Sequence, residues 1–218
     1  MTRWRYLAAA GLMMAIVAPA VPAVAADVAV ARATVQSAMD EGIAAFASGK
    51  TYPLEERTRL LDAIVRHHTD PGLLSAAVLG RSWAKLPPDQ QAAFSERLIA
   101  FVVSSYVGLL NEPTEGVTFT LGEGQDLGAK VRIPSEVGRT VPGVPRSQVD
   151  WVVAFTPEGQ PGIVDLTVDG ISLIRAMHED FTSVMRNSGG RIEPLMEALA
   201  RKIAANDAAN QAGENAAR

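Results

Sequence analysis

The sequence predicts an α+β domain in which helices cover one face of a curved, four-stranded antiparallel sheet. Three observations carry this. Apolar residues recur at helical spacing as far as Leu110, at alternate positions between Val117 and Val168, and at helical spacing again from Ile171. The connections between the alternating segments are short and rich in Gly and Pro, which favours an antiparallel meander over parallel crossovers. Helices flanking a block of strands, with one apolar sheet face to bury, read as helices packed on that face.

Each element has its own signature. Val28, Val35, Met39, Ile43 and Phe46 mark a helix over residues 27–49, stopped by Gly49. After the break at Tyr52-Pro53, Leu60, Leu61, Ile64 and Val65 share one side of a second helix, 54–69. Asp70 caps a third, with Pro71 in its first turn, and this helix ends near Gly80. Pro87-Pro88-Asp89-Gln90 opens the longest helix, whose stripe of Phe94, Leu98, Phe101, Ser105 and Leu109 is widened by Val102, Tyr106 and Leu110. So broad a stripe predicts burial along the helix's length. Alternation predicts strands at 117–121, 129–133, 149–155 and 164–168, separated by loops at 122–128, 135–147 and 157–162. Gly170 ends the sheet. Ile171, Ile174, Met177, Phe181, Val184 and Met185 then form one helical stripe, broken by Gly189-Gly190, and Ile192, Leu195, Met196, Leu199 and Ile203 form the last. Residues 206–218 carry no apolar face and read as a disordered tail.

The first 26 residues read as a cleaved signal peptide. Arg3 and Arg5 precede an apolar run from Leu7 to Ala18, and the segment ends in Ala23-Val24-Ala25-Ala26. The run falls short of the roughly 20 residues a membrane span needs. No further long apolar stretch is expected, so the exported chain should be soluble. The domains expected are therefore the signal peptide 1–26, one ligand-binding domain 27–205 and the tail. The formal net charge is −4 and becomes more negative once Arg3 and Arg5 are removed. That argues against nucleic acid as a partner. The chain has no Cys, which excludes disulfides, thiol catalysis, thiolate metal sites and a lipoprotein anchor.

Groups able to do chemistry are few. His67 and His68 are adjacent, and side chains one residue apart on a helix diverge by about 100°. They are not expected to share a metal. His178-Glu179-Asp180 falls on the solvated side of its helix. Asp165 and Asp169 share one strand face and read as solvated or capping, with Arg81 a candidate tie from a helix end to one of them. Gly122-Glu123-Gly124-Gln125-Asp126 is a hairpin loop without the spacing of a phosphate cradle. No catalytic residue, metal site or cofactor is expected.

Two separated segments resemble the MlaC family of periplasmic phospholipid-binding proteins, the toluene-tolerance auxiliary components of ABC transport systems. The first holds Leu79-Gly80-Arg81, Trp83 and the Gln90 to Phe94 word, and continues to Tyr106. The second holds Asp165, Val168-Asp169-Gly170-Ile171-Ser172-Leu173, Phe181 and Gly189. The resemblance spans roughly 60–199. It departs at Pro161-Gly162, where the family usually has a Trp nearby, and at Met177-His178, where Tyr-Arg is common.

The resemblance implies a cone-like fold related to nuclear-transport-factor-like domains, with acyl chains in an apolar cavity between sheet and helices. It implies a periplasmic carrier of phospholipid between an outer-membrane lipoprotein complex and an inner-membrane ABC transporter with an MCE-domain ring. The residues expected to line the cavity are Phe101, Tyr106, Val131, Ile133, Val153, Phe155, Leu166, Val168, Ile174, Phe181 and Met185. The alternatives are a carrier of a hopanoid or sterol-like lipid, an isomerase or dehydratase on the same fold, and an adaptor whose core is solid.

Overall fold

The computed structural model describes residues 27–47, 49, 51–110, 116–140 and 145–216. The expected signal peptide lies outside the described residues. The helices are α1 (Val28–Phe46), α2 (Leu54–His68), α3 (Pro71–Leu79), α4 (Pro88–Tyr106), α5 (Leu173–Asn187) and α6 (Glu193–Ala216). Short 3-10 turns follow α3 and α4. The strands are β1 (Val117–Leu121), β2 (Gln125–Asp126), β3 (Lys130–Arg139), β4 (Ser147–Phe155), β5 (Pro161–Val168) and β6 (Ile171–Ser172). They form one antiparallel sheet in the order β1-β3-β4-β5-β6, with β2 beside β3. The α+β class and antiparallel sheet are as the sequence predicts, with two-residue strands β2 and β6 added to the four long ones.

The caps follow the sequence signals. Asp27 accepts from the N–H groups of Ala29 and Val30, and Asp70 from that of Leu73 at 2.7 Å. α4 starts at Pro88, as a missing N–H allows in the first turn. The segment Pro88–Leu110 is long and apolar enough to cross a membrane by length and composition, contrary to the expectation of no further such stretch. In this fold it is the central core helix. Phe94, Leu98, Ile99 and Val103 are buried against α3, α5 and α6.

β3 runs on to Arg139, through residues expected to be loop. The Gly and Pro content of residues 135–147 led to that expectation, and within β3 itself Pro134 cannot donate to a ladder. Here the pairing on that edge changes from β1, opposite Ser135 to Arg139, to β2, opposite Val131 and Arg132. Pro134 sits at the changeover. Its carbonyl accepts from Gly122 N–H at 2.8 Å, and the Gly122 carbonyl accepts from the Arg32 guanidinium of α1. An arginine thus replaces the N–H that Pro134 lacks.

The expected tail is corrected more fundamentally. α6 continues to Ala216, and the stripe of Leu195, Leu199 and Ile203 passes into half-buried Asn206, Asn210 and Glu214. Asn206 donates to the hydroxyls of Ser104 and Ser105, Asn210 to the Ser104 carbonyl at 2.9 Å. Arg57, 3% exposed, donates to Glu214 at 3.1 Å and to the Tyr52 carbonyl at 2.7 Å. Docking here is polar, so a search for apolar faces does not find it.

The sheet's two faces differ. The outer face carries the ion pairs Arg132–Asp150 and Arg146–Glu136. On the inner face, Leu121, Val131, Ile133, Val153 and Ile163 pack against Ala31, Val35 and Ala38 of α1.

Glu214→Ala is expected to lower stability by about 2 kcal/mol or more, because it leaves a buried guanidinium without its carboxylate. Denaturant titration checks this, and an undocked tail predicts no change.

Candidate functional site

β5 is irregular where it matters. Asp165 pairs with Val152 and Ile163 with Val153, so Val164 is an extra residue, a β-bulge. Ile163, Val164, Leu166 and Val168 all line a hollow of about 450 Å³. Helices supply the rest: Leu61 and Val65 from α2, Leu74 from α3, Val102 and Tyr106 from α4, and Leu173, Ile174 and Met177 from α5. Thr69, Tyr106 and Asp165 bring the polar side chains of a lining that is otherwise hydrocarbon. Leu109 and Val168 line it and are exposed, which places its opening on their side. Ile171, 68% exposed, is in the adjoining hairpin. A second cleft of about 190 Å³ lies among α4, α5 and α6 and shares Tyr106, Leu173 and Met177 with the hollow. Phe101 and Phe181 line this cleft.

The expected lining residues therefore divide. Tyr106, Leu166, Val168 and Ile174 line the hollow, and Phe101 and Phe181 line the adjoining cleft. Val131, Ile133 and Val153 are on the inner face but fully buried beneath α1, with Phe155 packed against the same cluster. Met185 is buried in the helical core. Those five fill the protein's own interior, because alternation identifies the inner face without telling which helix covers it. Leu61, Val65, Leu74, Val102, Leu109, Ile163, Val164, Leu173 and Met177 complete the lining beyond those expected. Most lay in helical stripes that also fit an ordinary core.

Two ties hold the helices around β5. Gly162 packs so closely on α3 that a Cβ there would stand 2.8 Å from the Asp70 backbone nitrogen. A larger residue cannot be accommodated without moving the start of α3. At the other end, Asp165 Oδ2 accepts from the Ser172 hydroxyl at 2.6 Å, and Oδ1 from Ile174 N–H at 3.1 Å. Ser172 caps α5 by accepting from Arg175 N–H at 3.0 Å. Asp165 is thus a capping residue on the wall of the hollow. Asp169 and Gly170 join β5 to β6 as a two-residue hairpin turn with positive φ at both, 47° and 87°. Asp169 also accepts from Gln148 N–H at 3.0 Å. Arg81 is exposed, and the groups that hold Asp165 and Asp169 are others.

The two sequence words meet in space. Gly80 adopts a left-handed φ of 54°, and the His178 ring lies 3.2 Å from where its Cβ would be. His178 is half-buried, contrary to expectation, while Glu179 and Asp180 are exposed. Its Nδ1 donates to the Val78 carbonyl at 2.6 Å, a bond that a carbonyl can only accept. Phe94 lies 6.4 Å from Trp83 and 6.4 Å, edge to face, from Phe181, which lies 6.0 Å from Phe101. Gln91 donates to the carbonyls of Trp83 and Leu86. The motif residues therefore lock α3, α4 and α5 together.

The electrostatics of the hollow are muted. Burial pushes the Tyr106 phenol above its ordinary pKa, so it stays neutral. Asp165 has both carboxylate oxygens engaged. A cavity with such a lining offers a solvent for hydrocarbon.

His67 and His68, whose side chains leave the helix in different directions, nonetheless bring their ring nitrogens to one carboxylate oxygen. His67 Nδ1 lies 3.0 Å and His68 Nε2 2.7 Å from Glu41 Oε2 of α1. One ring uses its near nitrogen and the other its far one, which compensates for their different directions from the helix.

Comparison with known proteins agrees with this geometry. No curated protein matches the chain. Among solved structures, one of a phospholipid-binding protein from Ralstonia solanacearum, in complex with a phospholipid, is similar with a TM-score of 0.67 at 22% identity. The match covers 81% of this chain and 98% of that one. The family model described as MlaC protein matches residues 36–201. The chain belongs to the MlaC family.

Proposed function

We propose that the protein is a periplasmic phospholipid carrier, exported by cleavage of residues 1–26, that takes acyl chains into the hollow beside β5. It would pass lipid between an outer-membrane lipoprotein complex and an inner-membrane ABC transporter with an MCE-domain ring. The observation that carries this is the hollow itself, an open apolar space placed where a folded protein would ordinarily close its core. Family membership and the phospholipid bound by the Ralstonia protein support the choice of ligand.

The energetics suit exchange. Two acyl chains carry on the order of 30 methylenes at about 0.8 kcal/mol each, so exposing them to water costs more than about 20 kcal/mol. A carrier need only offer an interior close to that of the bilayer, so that transfer in either direction is nearly balanced. Leu166, Ile174, Val102 and Met177 offer that interior, with exposed Leu109 and Val168 at the opening. The hollow of about 450 Å³ is modest for two chains, and the adjoining cleft behind Tyr106 and Met177 gives the second a route on rotation of those side chains. The engagement of both Asp165 oxygens at the start of α5 supports binding over catalysis.

Lipid bound to the purified mature protein, recovered by organic extraction and identified by mass spectrometry, tests the reading. Leu166→Trp and Ile174→Trp fill the hollow and are expected to reduce recovered lipid severalfold while the protein stays folded. Ile133→Ala, under α1, is expected to cost about 2–5 kcal/mol of stability and to leave lipid recovery intact. Protein that is always empty and takes up no labelled lipid from liposomes would refute the carrier.

Asp165→Ala separates carrier from enzyme. It is expected to cost about 1–2 kcal/mol through loss of the cap on α5, read by denaturant titration, with lipid still bound.

A further inference from the structure

We propose that Glu41, His67 and His68 form a binding site for a divalent transition-metal ion of the zinc class, joining α1 to the end of α2. The three ligand atoms, Glu41 Oε2, His67 Nδ1 and His68 Nε2, all lie within 4.8 Å of one another. Around a metal at ~2.1 Å, tetrahedral ligand atoms stand roughly 3.4 Å apart. The observed contacts of 3.0 and 2.7 Å to the carboxylate need only small outward shifts to admit the ion. Both nitrogens already converge on a single oxygen, and their rings are 4.4 Å apart. The metal replaces the two protons now directed at that oxygen.

The donor set selects the metal. Two imidazoles and one carboxylate favour zinc, cobalt, nickel or copper over calcium or magnesium, which take oxygen ligands. Three protein ligands leave a fourth position for water. Access and rigidity are both present. His67 is 68% exposed at its side chain and gives the ion entry, while His68 is 7% exposed and fixes one ligand in the fold. The His68 and His67 imidazoles hold the Glu41 carboxyl below its ordinary range, so it is a carboxylate near neutral pH.

The site has a structural consequence. α1 is the helix that covers Val131, Ile133 and Val153, whereas α2 contributes Leu61 and Val65 to the hollow. Metal at Glu41, His67 and His68 fastens the covering helix to a wall of the hollow. It is remote in role from lipid contact, because none of its three ligands lines that hollow.

The test uses the untagged mature protein, stripped with chelator and titrated with Zn²⁺ by calorimetry, with Co²⁺ as the optical probe. One equivalent of Zn²⁺ is expected, with a rise in melting temperature of about 5 °C at saturating metal. Co²⁺ is expected to give the visible absorption of a four- or five-coordinate site. His67→Ala, whose exposed ring can be removed without disturbing the core, is expected to weaken binding on the order of tenfold or more. Glu41→Gln is expected to abolish the Co²⁺ spectrum, a readout independent of any change in stability. No saturable binding, or binding unchanged in both variants, would overturn the site. Lipid content does not enter these readouts, so failure here leaves the carrier reading standing.

Discussion

The structure turns on incomplete coverage of one sheet face. The inner face of β3, β4 and β5 is mostly apolar, with Ser135 and Asp165 as hydrogen-bonded exceptions, and hydrocarbon left facing water is costly. α1 lies over β1, β3 and the Ile163 end of β5, and Val131, Ile133 and Val153 are fully buried in the cluster beneath it. Beyond α1 the face continues through Leu166 and Val168, and there the helices stand back. The vacant part of the face is the hollow.

What keeps the helices from closing is local and specific. α3 cannot slide along β5, because Gly162 admits the Asp70 backbone so closely that no side chain fits between them. α5 is held at its first turn by Asp165 and Ser172, and at mid-length by the contact of His178 with Val78 and Gly80. α4 is held from behind by α6, through the serine and asparagine contacts of Ser104, Asn206 and Asn210. Each tie lies at a rim or on a back face. The side chains looking into the hollow are left to contact whatever occupies it. This explains the Gly80, Asp165, Asp169, Gly170 and Ser172 of the two sequence words: they specify turns, caps and close approaches.

Much of this was legible in the sequence, and the failures have physical causes. Alternation places Val131, Ile133 and Val153 on the correct face but carries no information about the element that covers it. The Gly- and Pro-rich stretch after Ile133 reads as loop, yet β3 continues through Pro134 because Arg32 of α1 supplies the missing donor from far away in sequence. The polarity of Asn206, Asn210 and Glu214 hides the fact that their spacing continues the stripe of Leu199 and Ile203. The angle between neighbouring side chains on a helix separates His67 from His68, and the different reach of Nδ1 and Nε2 brings their rings back to one oxygen of Glu41. In each case a group distant in sequence completes what the local pattern leaves open.

The most direct measurement is a crystal structure of the protein loaded with phospholipid. The account predicts acyl density between β5 and α2, α4 and α5, touching Leu166, Ile174, Val102 and Met177, with α1 still seated on Ile133 and Val153. Acyl density between α1 and β3, or a loaded protein whose hollow is shut by its own side chains, would contradict it.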